Sequence, residues 1–591
     1  MALSSIDWGI IFAFFLVSLG IGIWASRTSG KSYTEFFLSG RHMPWWLLGI
    51  SMVATTFSAD TPNLVTDIVR KNGVSGNWVW WAFLLTGMLT VFVYARLWRR
   101  SGVLTDLEFY ELRYSGKGAA FLRGFRALYL GVFFNIMIMA TVALAAIKIG
   151  GVLLGLSPIQ TLLITSIVTV AYTSLGGLKG VIFTDFFQFA IAMIGVIGAA
   201  YVILDLPEVG GLSGLLAHEN VVGKLDFIPD FNDMNALIPL LILPLAVQWW
   251  SVWYPGAEPG GGGYIAQRML SAKDENNAVG ATLLYNIAHY ALRPWPWLII
   301  ALASLIVFPD LASLQKAFPN VDAKVINDDL AFPAMLTFLP TGLLGLVVAA
   351  LIAAFMSTIS THLNWGSSYV VNDFYKRFIN PEATEKQLVL WGRGSTVVLM
   401  IGAALLALAL SNALQAFNIL LQVGAGTGLI FILRWFWWRI NAYSEIIAMV
   451  ASFTIAVIYE FGFPDMETHV KLISSVGITT IIWIGITLAT PASDYDTLIR
   501  FYKLIKPYPK GWRPVIEQAI EKGDLTEKEV AVGQLPLELA CMFAGVFMVY
   551  GALFATGYLI YGAWMNAMIG ILVTGISTWF IFKTWPKIST P

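Results

Sequence analysis

The chain has 591 residues, 57% hydrophobic and only 12% charged, with 36 basic and 36 acidic side chains and a formal net charge of zero. That balance excludes the basic face a nucleic-acid partner requires. A single cysteine, Cys541, excludes an internal disulfide and any cysteine-based metal cluster, and the five scattered histidines form no His-Glu-x-x-His pair.

Apolar runs of about 20 residues, each long enough to cross a hydrocarbon core of roughly 30 Å, recur along the whole chain. They predict an all-α polytopic membrane protein of about fifteen spans, near residues 8–26, 44–68, 76–98, 121–150, 157–175, 181–204, 236–255, 279–308, 338–372, 388–410, 414–438, 442–461, 469–490, 537–560 and 563–583. The first run lacks a basic flank and a small-residue cleavage site, so no cleavable signal is expected. Arg96, Arg99, Arg100, Arg113, Lys117, Arg123 and Arg126 crowd the loop after the third span, which is therefore expected on the cytoplasmic side, as are Arg27, Lys31 and Arg41. The acidic segments 205–235 and 309–337 are then outside. The amino terminus is expected outside and the carboxy terminus, with Lys583 and Lys587, inside.

The second span carries Asp60, Pro62 and Asn63 at membrane depth. Proline removes a helix hydrogen bond, so a break is expected there, and broken backbone survives in a membrane only where it lines a cavity or is covered by protein. Gln248, Trp249, Trp250 and Trp253 at the end of the seventh span can stack on a sugar ring or a cation. The run Pro255-Gly-Ala-Glu-Pro-Gly-Gly-Gly-Gly263 behind them reads as a flexible turn at a helix end. In the eighth span His289 and Arg293 lie four residues apart on one face, and an ionisable pair inside an apolar helix marks a candidate site. The following Pro294-Trp-Pro-Trp297 resembles an interface anchor that draws Arg293 outward.

The ninth span holds Ser357, Thr358, Ser360 and Thr361 within Ala353–Asn364, with Ser357, Ser360 and Thr361 on one side of the helix. Neutral oxygens of this kind suit a hard monovalent cation such as sodium; alone, they equally suit hydroxyls bonded back to their own helix. The polar stretch 491–535, partly basic and Pro-rich, is expected to be a solvated cytoplasmic linker.

Three motifs, in order, carry a family resemblance. Ala171-Tyr-Thr-Ser-Leu-Gly-Gly-Leu-Lys-Gly-Val-Ile-Phe-Thr-Asp-Phe-Phe-Gln188 is similar to the Gly-Gly hairpin and Thr-Asp-x-x-Gln signature of the sodium/solute symporter family. Gln267-Arg-Met-Leu-Ser-Ala-Lys273 resembles its cytoplasmic loop, and Ala353–Lys376 its Ser-Thr helix. The resemblance covers roughly residues 5–490. It implies a LeuT-like core of two five-helix inverted repeats at 44–204 and 236–438, with segment 1–43 before it. Outside the repeats lie the extracellular loop 205–235, two further spans in 439–490, the linker 491–535 and the final spans in 536–591.

The resemblance also implies a sodium site made from the backbone carbonyls of Ala54, Phe57 and Ala354 and the hydroxyls of Ser357 and Thr358. In some members a second sodium is held by residues matching Asp185, Ser357, Ser360 and Thr361. A gapless count places His289 where a galactose-transporting member has a sugar-binding lysine. That member's glutamine becomes Thr61, and its glutamate falls near Trp80. The solute candidates are thus Ser58, Asp60, Thr61, Gln248, Trp249, Trp250, His289 and Arg293.

The function these features imply is sodium-driven symport of a small polar solute in a multi-pass cell membrane of bacterial inner or plasma-membrane type. No enzymatic step, organic cofactor or obligate protein partner is expected. A neutral sugar or polyol is the expected solute. The alternatives are an anionic solute such as a sugar acid held by Arg293, or, from another class, a non-transporting sodium-linked sensor, a membrane enzyme or a proton-translocating subunit.

Overall fold

With so few charged side chains, the backbone itself is the main polar burden of this chain, and inside a bilayer helices satisfy it without leaving an open edge. The structure, a computed structural model, accordingly builds almost the whole chain from helices. It describes residues 3–29, 38–56, 58–103, 105–173, 178–254, 256–531 and 533–589. Two isolated bridges, Met43 with Ala272 and Val252 with Ala425, are the only strand-like pairings among those residues. Phe57 and the Ser174–Gly177 part of the hairpin motif lie outside the described residues.

The helices follow in order as α1 (Ser5–Ser29), α2 (Trp45–Thr56), α3 (Asp60–Asn72), α4 (Val74–Ser101), α5 (Gly116–Leu154), α6 (Pro158–Thr173) and α7 (Leu178–Leu204). Next come α8 (Met234–Ser251), α9 (Gly263–Ser271), α10 (Glu275–Val307), α11 (Leu343–Ile379) and α12 (Glu385–Ala407). The remainder are α13 (Ala413–Gly424), α14 (Gly428–Leu433), α15 (Ala442–Gly462), α16 (Thr468–Ala489), α17 (Tyr495–Ile505), α18 (Arg513–Lys522), α19 (Leu535–Ile560) and α20 (Trp564–Ser589). Eleven helices among the described residues are long and apolar enough to cross a bilayer. Shorter apolar helices stand at the first, second, fifth and eleventh predicted spans.

Burial divides the helices into a covered core and an outer shell. The apolar window of α4 is 89% buried and that of α11 is 83% buried, against 28% for α12 and 17% for α20. The well-covered helices carry the polar residues discussed below; the shell shows Ile, Leu and Phe to lipid, as Ile401, Leu405 and Phe582 do. Helix α2 packs on α7, α10 and α11, which brings three of the sequence motifs together.

Two helices of this core are interrupted. The first break falls between Thr56 and Asp60, upstream of Pro62 rather than at it. Pro62 sits in the first turn of α3, where its missing N–H costs no helix bond, so the proline starts a helix instead of breaking one. The second break separates α8 from α9.

The stretch 491–535 differs from the expected solvated linker. It folds into α17 and α18, which bury Phe501, Tyr502, Ile505 and Trp512 completely. The Trp512 indole donates to the Trp435 carbonyl at 2.9 Å, and the buried Arg113 guanidinium lies 4.8 Å from its ring centre. Arg100 donates to the Ile505 carbonyl at 2.9 Å. Aromatic residues spaced among the charges, rather than mean polarity, decide that this segment docks.

Candidate functional site

Helix α2 ends at Thr56, so the carbonyls of its last turn, that of buried Ala54 among them, have no backbone amide of their own helix to accept from. Facing that end is the hydroxyl stripe of α11, where Ala354, Ser357, Thr358, Ser360 and Thr361 are all buried. The Ser357 hydroxyl donates to one oxygen of the Asp185 carboxylate at 2.7 Å. The other oxygen of Asp185 accepts from Ser51 at 2.7 Å and from Thr55 at 3.4 Å, one turn apart on α2. Ser360 donates to the Ser357 carbonyl at 3.1 Å. The hydroxyls of Thr358, Thr361 and Ser58 are buried without a partner among the described residues.

Asp185 also has a charged neighbour that the sequence did not disclose. Arg268 of α9 is fully buried, and its Nη2 lies 3.8 Å from the Asp185 carboxylate. It donates to Thr55 at 2.9 Å, to Ser51 at 3.3 Å and to the Tyr264 carbonyl at 3.2 Å. Ser51 and Thr55 thus accept from the guanidinium while donating to the carboxylate, so two hydroxyls and an ion pair close one network over α2, α7, α9 and α11. The signal available was Arg268 inside the Gln-Arg motif, combined with Ser51 and Thr55 four residues apart.

On the other side of the first break, His289 Nδ1 lies 3.2 Å from the Thr56 hydroxyl, and His289 Nε2 lies 3.3 Å from Arg293 Nη2. A guanidinium only donates, so Nε2 accepts and the ring proton sits on Nδ1, where it donates to Thr56. The Trp80 ring meets His289 edge-on at 5.8 Å. Asp60 accepts from Thr141 at 3.3 Å, and the Thr61 amide donates to the Ser58 carbonyl at 3.3 Å across the break.

Arg293 does not reach outward. It is 1% exposed, its guanidinium lies 5.2 Å from the Trp297 ring centre, and its Nε and Nη1 find no acceptor among the described residues. Trp295 and Trp297 are buried rather than set at an interface. The reason is α19, which packs over this end of α10 and takes the Trp295 indole hydrogen bond on the Leu553 carbonyl at 2.9 Å.

Gln248, Trp249 and Trp250 do not join this group. Gln248 donates to the Val79 carbonyl at 2.6 Å and lines a separate cavity of about 140 Å³ with Asn72, Asn418, Gln422 and His469. The Trp249 and Trp250 indoles donate to carbonyls of their own helix, at 2.9 and 2.8 Å.

The Gly-rich run proves to be the second helix break rather than a flexible turn. After Ser251 the chain extends beside α13: the Trp253 amide donates to the Gly424 carbonyl at 3.1 Å, and the Gly426 amide to the Ser251 carbonyl at 2.8 Å. Residues 258–263 are then buried, with Trp98 donating to the Gly260 carbonyl at 2.7 Å and the Gly263 amide to Asp106 at 3.0 Å. Gly261 takes φ +75°, and a Cβ there would stand 2.9 Å from Met269 Cε and 3.1 Å from the Trp98 indole nitrogen. Glycine is needed at that position for both reasons.

Comparison with known proteins adds family evidence to this geometry. The sequence model described as Sodium:solute symporter family matches residues 36–452. The sodium/glucose cotransporter of Vibrio parahaemolyticus is 26% identical over 517 residues, covering 84% of this chain and 92% of that protein. The sodium/mannose cotransporter of Bos taurus is 26% identical over 495 residues, covering 78% and 80% of the two chains. The sodium/myo-inositol cotransporter 2 of Oryctolagus cuniculus is 26% identical over 505 residues, covering 78% and 71%. A solved structure described as the substrate-bound outward-open state of a Na+-coupled sialic acid symporter superposes with TM-score 0.65. It does so at 20% identity, over 83% of this chain and 99% of that one. At that identity the likeness bears on the fold.

Proposed function

The chain belongs to the sodium:solute symporter family, and from that premise we propose that it imports a small polyhydroxylated solute carrying an anionic group. It is a sodium-coupled, multi-pass membrane transporter rather than an enzyme. The observation that carries the anionic reading is Arg293, a buried guanidinium with two open donors. A buried charge with unfilled donors is costly, and a carboxylate answers both needs at once. The reason for expecting a neutral solute, an Arg293 drawn out to the interface, is removed by its burial. The neutral sugar or polyol stands as a second reading, favoured by the glucose, mannose and myo-inositol cotransporters among the relatives.

In this reading one sodium ion binds the carbonyls of Ala54, Phe57 and Ala354 and the hydroxyls of Ser357 and Thr358. The unpartnered Thr358 hydroxyl, on a helix that packs against α2, supports it. Sodium there ties α2 to α11 and so fixes the first break, next to which His289, Arg293, Asp60, Ser58 and Thr61 meet the solute. Each sodium ion moving inward gains about 2.3 kcal/mol per 100 mV. Coupling through a shared break is reciprocal, so the solute also tightens sodium binding. The repeats are 44–204 and 236–438, and their exchange of contacts opens the site to either side in turn. Arg268 already supplies the positive charge beside Asp185, which favours a single sodium at this end and leaves Asp185, Ser360 and Thr361 to guide its release.

The test is thermal stabilisation of the purified protein by a panel of carboxylated and neutral sugars, with and without sodium. Carboxylated sugars are expected to stabilise more, and Arg293→Gln to weaken them by about a hundredfold, the loss of roughly 3 kcal/mol of charge-assisted hydrogen bonding. Thr358→Val is expected to abolish the sodium enhancement of that shift without lowering the melting temperature in sodium-free buffer. Equal stabilisation by neutral sugars, unaffected in Arg293→Gln, sinks the anionic reading. An intact sodium response in Thr358→Val sinks the sodium site.

A further inference from the structure

Glu258 lies in the buried loop between α8 and α9 and is 4% exposed, and its carboxylate accepts from the Gly256 amide at 3.0 Å. No basic side chain stands within ion-pair distance of it among the described residues. Asp106, a second buried acid, is anchored to the end of the same loop through the Gly263 amide and accepts from the Tyr369 hydroxyl. Two buried cations stand on the Phe431 ring, Arg126 at 4.9 Å and Arg434 at 5.0 Å; Arg434 is matched by Glu445 at 3.4 Å, which leaves Arg126 for Asp106 and Glu258. Two carboxylates against one guanidinium leave one negative charge to be matched by something else.

Glu258 lines a cavity of about 10 Å³, the space of roughly one water molecule, with Thr86, Thr90, Thr282, Tyr285 and Asn286. The hydrogen bonds of these residues leave mainly acceptors toward it. Thr86 donates to the Trp249 carbonyl, Thr90 to the Thr86 carbonyl at 2.9 Å, and Thr282 to the Ala278 carbonyl at 2.9 Å. Tyr285 donates to the Gly256 carbonyl at 3.1 Å. Asn286 commits its amide nitrogen to the Thr282 carbonyl at 2.8 Å, while its Oδ1, on a residue with no exposure, has no partner. A Cβ on Gly87 would lie 1.8 Å from that oxygen, so the glycine in α4 makes room for it. Hydroxyls that have already given their protons, an orphan amide oxygen and an unpaired carboxylate favour a positive occupant over an anion or an apolar group.

We propose that this cavity is a sodium site separate from the one at Ser357 and Thr358, with the Glu258 carboxylate and the Asn286 amide oxygen as its principal ligands and the threonine hydroxyls completing the shell. A water-sized space suits a small hard cation held by oxygens. The site bridges α4, α10 and the second broken helix, as the first site bridges the first broken helix and α11. Its occupant therefore ties the loop at residues 256–262 to the core.

The test is equilibrium binding of radioactive sodium to the full-length protein in nanodiscs, read as ions bound per chain. Glu258→Gln is expected to bind one ion fewer than the parent. Thr358→Val loses a different ion, so the two changes add in the double variant, and failure of one site is distinguishable from failure of the other. Asn286→Asp placed in the Glu258→Gln background returns the charge to the cavity and is expected to restore the ion. If Glu258→Gln does not yield monodisperse protein, Asn286→Ala serves instead, with half-saturation of one ion class expected to weaken about tenfold, as for one lost charged-group ligand. An unchanged sodium count in Glu258→Gln, or unchanged half-saturation in Asn286→Ala, overturns the proposal. A sodium count unaffected by Glu258→Gln while proton uptake falls by one assigns the cavity to a proton and also overturns it.

Discussion

Replacing Asp185 by asparagine keeps one oxygen, which can accept from Ser357 or from Ser51 but not both, and leaves Arg268 charged, buried and without a counter-charge. The two side chains are 1% and 0% exposed and approach to 3.8 Å. At that separation and an effective dielectric of about 20, the direct attraction is about 4 kcal/mol. Removing one partner of a buried pair typically costs about 3–5 kcal/mol, because the survivor stays desolvated. Asp185→Asn and Arg268→Gln are each expected to destabilise the protein by that amount. The double variant is expected to lose about 2–4 kcal/mol less than the sum of the two single losses, because neither charge then remains. Reversible unfolding of the four proteins in mixed detergent micelles, followed by helical circular dichroism, completes the cycle. The same proteins give a second readout: Arg268→Gln frees the Asp185 charge and is expected to raise the Hill coefficient for sodium. Losses that add within about 0.5 kcal/mol would refute the pair as an energetic unit.

Trp512→Ala removes a fully buried ring whose indole bond and cation contact hold α17 and α18 against the core, at a cost of about 3–5 kcal/mol. Trypsin cleavage at Lys503 and Lys510 is expected to accelerate; cleavage at the parent's rate would mean the segment is held by other contacts. Glu111, in the polar loop between α4 and α5, is raised by burial, but hydrogen bonds from Arg377 and Arg123, each 2.7 Å, outweigh this and hold its carboxyl below the usual range. A lowered carboxyl value contributes stability above the unfolded value of about 4.3, lost as pH falls through the folded one. Glu111→Gln is therefore expected to melt below the parent at pH 7, with the gap closing in the acid range beneath about pH 4.3. A gap that does not change with pH contradicts the ion-pair account.

The membrane class was legible because it depends on composition and run length, which local sequence determines outright. A break beside Asp60 was legible for a related reason: an acid, a proline and an asparagine at membrane depth cannot all be served by an unbroken lipid-facing helix. The contact between Asp185 and Ser357, on motifs 172 positions apart, was expected only through the family resemblance, and the structure places the two at 2.7 Å. Arg268, Arg293, Glu258 and Trp512 were misjudged or missed, and they share one property: their surroundings come from distant parts of the chain. Pro294-Trp-Pro-Trp297 has the same local character at an interface or beneath another helix, and only the packing of α19 over α10 decides for the interior. The run from Gly256 to Gly263 reads as a loop by composition, and a loop it is. Its depth follows from anchors on Trp98, Asp106 and Gly424, none of which local spacing reveals. Sequence alone determined where helices form and which polar groups need partners. Tertiary structure decided which partners they get, because burial is a property of the surfaces that close over a residue.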